Sequence, residues 1–276
     1  MDWLIAKYHP CFLTAGDYLL KVQNRVQSVS KDGDSPFTTA LTDADLSVQN
    51  LFEITTLANH PELAFDSEEE SMSLNKKYFP REAEYRILLD PIDGTKNFKD
   101  GGKTFGVVMT VVKDRQIYAV AMYLPAYRKF FYSVRCGGTY LAATRRLSEK
   151  GKIQTLALPR AGVVRTDHAS KDLIERIDKV IQVKEITRDY DPQTWRWPKF
   201  GILTGEIDGF VKMDAPLEDW GAIAFMAENA GAMVSDKDGN LIPNYFDFPD
   251  RKIPSLVVSR DYIAHSLVLN ALKSWE

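Results

Sequence analysis

The stretch Ile87-Leu88-Leu89-Asp90-Pro91-Ile92-Asp93-Gly94-Thr95 limits what this chain can fold into more than any other. Its three leading aliphatic residues read as a short buried strand, and Asp90-Pro91 predicts where that strand stops. Pro91 stiffens the turn, so the Asp90 and Asp93 carboxylates and the Ile92 carbonyl are expected to face one small volume. A hard divalent cation such as Mg²⁺ prefers that kind of oxygen donor and completes its shell with water or phosphate oxygens. Gly94 permits close backbone approach. Thr95 opens a helix whose free N–H groups and dipole attract phosphate. Taken alone, the string also reads as a turn with an N-cap, because Asp, Pro, Gly and Thr are all turn residues.

Helical spacing of Leu19, Leu20, Val22 and Val26 predicts a long first helix from about Phe12 to Val29, ended by a turn at Gly33–Pro36. A second helical pattern runs from Asp45 through Leu57. Strands are expected at 105–112 and 116–122, joined at Lys113-Asp114-Arg115, and a third at 129–134. In the second half, 153–158, 209–213, 232–234 and 256–258 read as strands. Helices are expected at 170–180 and 218–230 and from Tyr262 onward. Strands clustered early and alternating with helices later predict an α+β lobe (1–140) followed by an α/β lobe (141–276). The boundary near 135–150 is weakly determined.

Three further acidic positions fall where the expected structure changes direction: Asp45, the run Glu68-Glu69-Glu70, and Asp219. Singly, the run is a solvated face and Asp219 a helix cap before Trp220; as a set with Asp90 and Asp93 they point to a cation. Two other motifs are excluded. An aspartyl nucleophile of the haloacid-dehalogenase type needs Asp where Pro91 stands. A P-loop ending at Gly102-Lys103-Thr104 would need its first glycine at Asn97. That segment reads as a loop into the strand beginning at Phe105.

A chain of 276 residues with 45% hydrophobic and 26% charged residues can bury a substantial core. Its formal charge of -3 lacks the basic field of a nucleic-acid binder. With only Cys11 and Cys136, no disulfide framework is implied. Neither a signal-peptide pattern nor a membrane-length apolar run is read, so a soluble, cytoplasmic protein is expected.

The residues resemble the inositol monophosphatase superfamily, the lithium-sensitive, Mg²⁺-dependent phosphatases. DPIDGTKNF at 90–98 resembles its first signature, SEEE at 67–70 its upstream Glu-Glu element and TDADLSVQ at 42–49 its Thr-x-x-Asp helix start. EDWGAIAFMAENAGA at 218–232 resembles the second signature. The resemblance implies a layered αβαβα sandwich, commonly a homodimer, acting on a small phosphate ester. It also implies roles. Asp90, Asp93, the Ile92 carbonyl, Asp219 and Glu68 (or Glu69, since the run leaves the register open) would hold metal. Glu68 would orient the attacking water. Thr95 would help activate that water, and Asp45 would sit near Thr95 or near an additional, weaker metal. The Gly94 and Thr95 amides would hold phosphate. Attack on phosphorus would then be in line and would need no covalent phosphoenzyme.

The second signature departs from the family pattern. Glu218 replaces the usual Trp, and Asn229 and Ala232 replace the usual Glu and second Gly. Lys212 falls where inositol monophosphatases carry a Glu, which suits an anionic substrate, one with a second phosphate or a nucleotide-like group. Thr194 keeps the family's Ser/Thr position, but Trp195-Arg196-Trp197 follows where small residues are common. Those aromatics serve either to stack a base or sugar or to pack a shifted helix. A true inositol monophosphatase and a non-catalytic metabolite-binding relative are the alternatives.

Overall fold

Leu4, Ile5, Tyr8, Phe12, Ala15 and Leu19 recur at helical spacing and are all buried, forming one face of helix α1, Trp3–Val22. The helix thus begins before the expected Phe12 and stops short of Val29. Pro10 lies inside it on the solvent side, where water can take over the bond that its missing N–H gives up. The computed structural model describes residues 3–29, 41–143, 146–242, 244 and 247–273, and the turn expected at Gly33–Pro36 lies outside them. Two compact units divide the chain: Met1–Val134 with Leu141–Gly151, and Arg135–Tyr140 with Lys152–Glu276. Among the described residues, no helix is long and apolar enough to cross a membrane.

In the first unit, helix α2, Asp43–Asn59, starts with a capping box. The Asp45 carboxylate accepts from the Thr42 amide at 2.8 Å, and the Ala44 amide donates to the Thr42 hydroxyl at 3.2 Å. Phe12 packs edge-on against Phe52 of α2 at 5.1 Å, and Tyr8 bonds Thr56 at 2.7 Å, which locks α1 to α2.

Strand β1, Ala64–Ser67, pairs in parallel with β2, Tyr85–Asp93. Antiparallel β3, Gly106–Lys113, β4, Gln116–Leu124, and β5, Lys129–Val134, follow. Strands β6, Gly138–Ala143, and β7, Arg146–Lys152, complete a seven-stranded sheet in sequence order, and the chain passes between the units along them. The β3–β4 turn is the expected one. Asp114 and Arg115 have φ of 50° and 59°, the left-handed pair of a type I′ hairpin that matches strand twist.

One expectation about β2 is corrected. The strand does not stop at Asp90 but continues to Asp93. Asp90 pairs with Val108 and Asp93 with Gly106, so β2 carries one extra residue between them. A bulge there leaves Pro91 without a ladder bond to spoil.

The second unit holds a five-stranded sheet of β8, Val163–Thr166, β9, Gln182–Glu185, β10, Gly209–Pro216, β11, Met233–Ser235, and β12, Lys252–Ser259, in the order β11-β12-β10-β8-β9. β8 is parallel to β9 and β10, whereas β12 is antiparallel to β10 and β11. Val164, Val211 and Val257 share a core with Ile177 of α4, Lys171–Asp178, and Val268 of α7, Tyr262–Lys273.

The strand expected at 153–158 is a 3₁₀ turn instead, Thr155–Ala157. Thr155 donates its amide to Ala230 and its hydroxyl to the Arg260 carbonyl, which draws the backbone out of any ladder. The helix expected from Glu218 is split into a wide π turn, Leu217–Gly221, and α6, Ala222–Asn229.

Gly209 is placed so that an added Cβ would lie 2.3 Å from the Val258 carbonyl oxygen, a backbone atom of the adjacent strand. Gly209→Ala is therefore expected to cost about 1–3 kcal/mol by overpacking, measured by urea unfolding. An unchanged midpoint would contradict this packing.

Candidate functional site

The continuation of β2 puts two acids at the end of a strand that is buried from Ile87 onward. Asp90 and Asp93 are both buried, and each has a carboxylate oxygen within 4.8 Å of the other's. Between them, the Ile92 carbonyl accepts the Thr95 hydroxyl at 2.7 Å. Gly94 turns the chain with φ of 84°, and an added Cβ would meet the Thr104 carbonyl oxygen at 2.8 Å, so glycine is required twice over. Thr95 then opens the short helix α3, Thr95–Lys99.

The following loop is fastened from two sides. Gln23 donates to the Phe98 and Gly102 carbonyls at 3.0 and 2.7 Å, and the Asn97 side chain accepts the Thr104 amide at 2.9 Å. Gly102-Lys103-Thr104 is a loop leading into β3, as its sequence implied. Gln23 was not anticipated, since a lone Gln beyond a helix carries no sequence signal.

Asp45 lies at the start of α2 and is 2% exposed. Its carboxylate accepts the Thr42 amide and hydroxyl on one oxygen, at 2.8 and 2.6 Å, and the Thr95 hydroxyl on the other at 3.1 Å. Asp45 and Thr95, expected near one another, are in contact. Burial lifts the Asp45 carboxyl to about 7; the bonds from Thr42 and Thr95 pull it down, and the charge of Glu68 pushes it further up.

The acidic run leaves β1 at its end. The Glu68 amide donates to the Leu89 carbonyl at 3.0 Å, and the residue is exposed; Glu69 is 4% exposed. Below the run, Gln49 of α2 accepts the Ser67 hydroxyl at 2.8 Å and donates to Glu53 at 2.9 Å. This buried polar pair was missed, although Gln49 and Glu53 stand at i,i+4 on the helix.

In the second unit, Asp219 sits in the π turn and pairs with Lys199, whose Nζ is 2.5 Å from Asp219 Oδ1. Its neighbour Trp220 is buried against Phe210 at 5.1 Å. Three cations lie over that indole: Lys199 at 5.1 Å, Arg165 at 5.3 Å and Lys212 at 6.0 Å. Arg165 forks onto Asp167 at 2.6 and 2.7 Å. Lys212 Nζ reaches the Asp167 carbonyl at 3.3 Å and has no carboxylate partner among the described residues.

The tryptophan pair divides. Trp195 is buried beside Tyr190 and Arg165, a packing residue, whereas Trp197 is half-buried with Lys184 and Arg196 against its ring at 4.4 and 5.2 Å. Thr194 is exposed in a turn closed by its amide on the Asp191 carbonyl at 3.1 Å, and the described contacts do not bring it to Lys212 or Asp219. Lys199 was not singled out from sequence, because the aromatic residues before it dominate that segment.

Comparison with known proteins follows the same lines. An inositol-1-monophosphatase of Mesorhizobium japonicum is 27% identical over 57% of this chain and 59% of its own length. A fructose-1,6-bisphosphatase of Pyrococcus furiosus is 25% identical over 62% of this chain and 63% of its own. The chain thus spans about three fifths of the length of these curated relatives. A solved Thermotoga maritima IMPase superposes with a TM-score of 0.75 at 19% identity, covering 99% of this chain and 98% of that one, which shows the expected fold class. The model of the inositol monophosphatase family matches residues 3–275, and the chain belongs to that family.

Proposed function

We propose that the chain is a Mg²⁺-dependent phosphatase that hydrolyses a small phosphate monoester bearing a second anionic group. The observation that carries this reading is the buried Asp90–Asp93 pair followed by Gly94 and a Thr95 hydroxyl bonded to Asp45. Two carboxylates and the Ile92 carbonyl form an all-oxygen donor set, which fits a hard divalent ion. Bound by them, Mg²⁺ supplies Lewis-acid charge for water and phosphate. Asp219 is proposed as a further carboxylate for metal.

The remaining work belongs to the chain itself. Glu68, exposed and close enough for its charge to act on Asp45, orients the attacking water in preference to the buried Glu69. Thr95 Oγ1 takes the proton of that water as it passes its own to Asp45 Oδ1, 3.1 Å away. The Gly94 and Thr95 amides hold the phosphate. Lys212, free of any carboxylate among the described residues, attracts a second phosphate or nucleotide-like group, and Thr194 contributes to substrate binding. The resemblance also supports a homodimer, and the formal charge of -3 favours small molecules in the cytosol over nucleic-acid polymer.

The direct test is Mg²⁺-dependent phosphate release from 3′-phosphoadenosine 5′-phosphate, fructose 1,6-bisphosphate, inositol 1-phosphate and histidinol phosphate. Asp93→Asn is expected to lower turnover at least about 100-fold with folding intact; normal turnover would sink the assignment. Lys212→Met should raise KM about tenfold for the bisphosphorylated substrates and leave that for inositol 1-phosphate unchanged, about 1.4 kcal/mol of selective binding.

Asp45 gives a pH signature in metal-free protein. Its folded carboxyl stands at about 7, against about 4 for an unperturbed Asp. Its contribution to stability is therefore fully present below about pH 4 and is lost as pH rises through 7. Between pH 4 and 8 the unaltered chain should lose up to about 4 kcal/mol relative to Asp45→Asn, followed by urea unfolding. A pH-independent difference between the two would refute the assignment.

A further inference from the structure

The acidic run after β1 has no apolar anchor of its own. Between Phe65 and Phe79 no apolar side chain is buried, and Met72, Leu74 and Tyr78 are all exposed. Apolar burial therefore does not fix where Glu68 stands. Hydrogen bonds from one face of α2 do so instead. Asp45, Gln49 and Glu53 follow one another at i, i+4 and i+8 on that helix, and all three are buried. Gln49 grips the run on either side of Glu68. Its Oε1 accepts the Ser67 hydroxyl at 2.8 Å, and its Nε2 donates to the Glu69 carbonyl at 3.3 Å. Glu53 holds the grip. One of its oxygens accepts Gln49 Nε2 at 2.9 Å, and the other accepts the side-chain amide of Asn75 at 2.8 Å, where the segment comes back to α2. A carboxylate only accepts, so Glu53 takes the nitrogen end of the Gln49 amide and leaves its oxygen end to Ser67. The Ser67 hydroxyl and the Glu68 amide also share the Leu89 carbonyl, at 3.2 and 3.0 Å, one residue before Asp90.

We propose that Gln49 and Glu53 are positioning residues that hold the Glu68 carboxylate at a set reach from the Asp45–Thr95 pair. The proposal rests on the reading of Glu68 as the residue that orients the attacking water. Each step of four residues advances about 6 Å along a helix. One rigid element, α2, thus spaces the proton-accepting Asp45 from the grip on the run. The charge of Glu68 acts on the Asp45 carboxyl, in keeping with a short separation of the two acids. Gln49 and Glu53 act on rate only through where Glu68 points, and a misplacement of about 1 Å can cost about 100-fold.

The test is a double-mutant cycle on Mg²⁺-dependent turnover of the four esters named above. Gln49→Met keeps the length of the side chain and removes both of its holds on the run. It is expected to lower kcat about tenfold and to leave KM unchanged. In a Glu68→Gln background the same substitution should cost nothing further, because no carboxylate remains to be positioned. Equal fold-losses in the two backgrounds, the mark of a merely structural role, overturn the proposal. Hydrogen–deuterium exchange reads the same hold without turnover. The amides of residues 68–73 should exchange about tenfold faster in Gln49→Met, and unchanged exchange there also overturns the proposal. Glu53→Gln, which keeps the shape and loses one of two acceptor oxygens, replaces Gln49→Met should the latter unfold, and the same two outcomes decide. The functional reading fails separately, by full turnover in Glu68→Gln, and exchange at 68–73 then still decides whether Gln49 holds the run.

Discussion

Asp45 is a carboxylate placed inside a core, and a buried carboxylate is tolerated only where hydrogen bonds replace lost water. Its bonds come from two distant parts of the first unit. Thr42 binds one oxygen and thereby starts α2; Thr95 binds the other and thereby fixes the junction of β2 with α3. The Thr95 hydroxyl also reaches the Ile92 carbonyl, between the two aspartates of the bulge. Moving Asp45 would release the helix cap and the turn together. A single buried acid thus couples the helical layer to the end of β2; its raised proton affinity comes from burial, and the coupling bonds work against it.

The same chain of contacts explains what sequence could convey. Asp90 through Thr95 was legible because each residue carries a local preference: acids as donors, Gly94 for a positive φ, Thr95 for a helix start. The bulge was not. Proline normally argues for a strand end, and only the pairing of Asp90 with Val108 and Asp93 with Gly106 reveals that the strand continues. The ambiguity between Glu68 and Glu69 has a similar origin. Glu68 and Glu69 stand in the turn just past β1, where no strand period tells which of two neighbours faces inward.

In the second unit the sequence drew attention to Lys212 through its distance from Asp219, and to two tryptophans through their bulk. The structure separates those signals. Trp195 is spent on packing and Trp197 on flanking cations, whereas the charge that reaches Asp219 belongs to Lys199, at the end of the aromatic run. Short strands β8 and β9 were unreadable for a related reason. At four residues each they lack a period, and their burial depends on α7, far off in sequence, as well as on the intervening α4.

A lysine and a divalent ion are not equivalent as cations, and the difference bears on which residues must do the chemistry. An ammonium held by its own backbone is present at any metal concentration and loses no binding entropy each time it is needed. It has three donors but no coordination position for water, so it can neutralise charge without lowering the pKa of a water molecule. Lys199 on one oxygen of Asp219 therefore adjusts charge there and activates no water itself. In the proposed reaction that work rests on the metal donors and on the Thr95 hydroxyl that Asp45 holds at 3.1 Å. Burial has already set the Asp45 carboxyl at about 7, in the range where it can accept a proton near neutral pH.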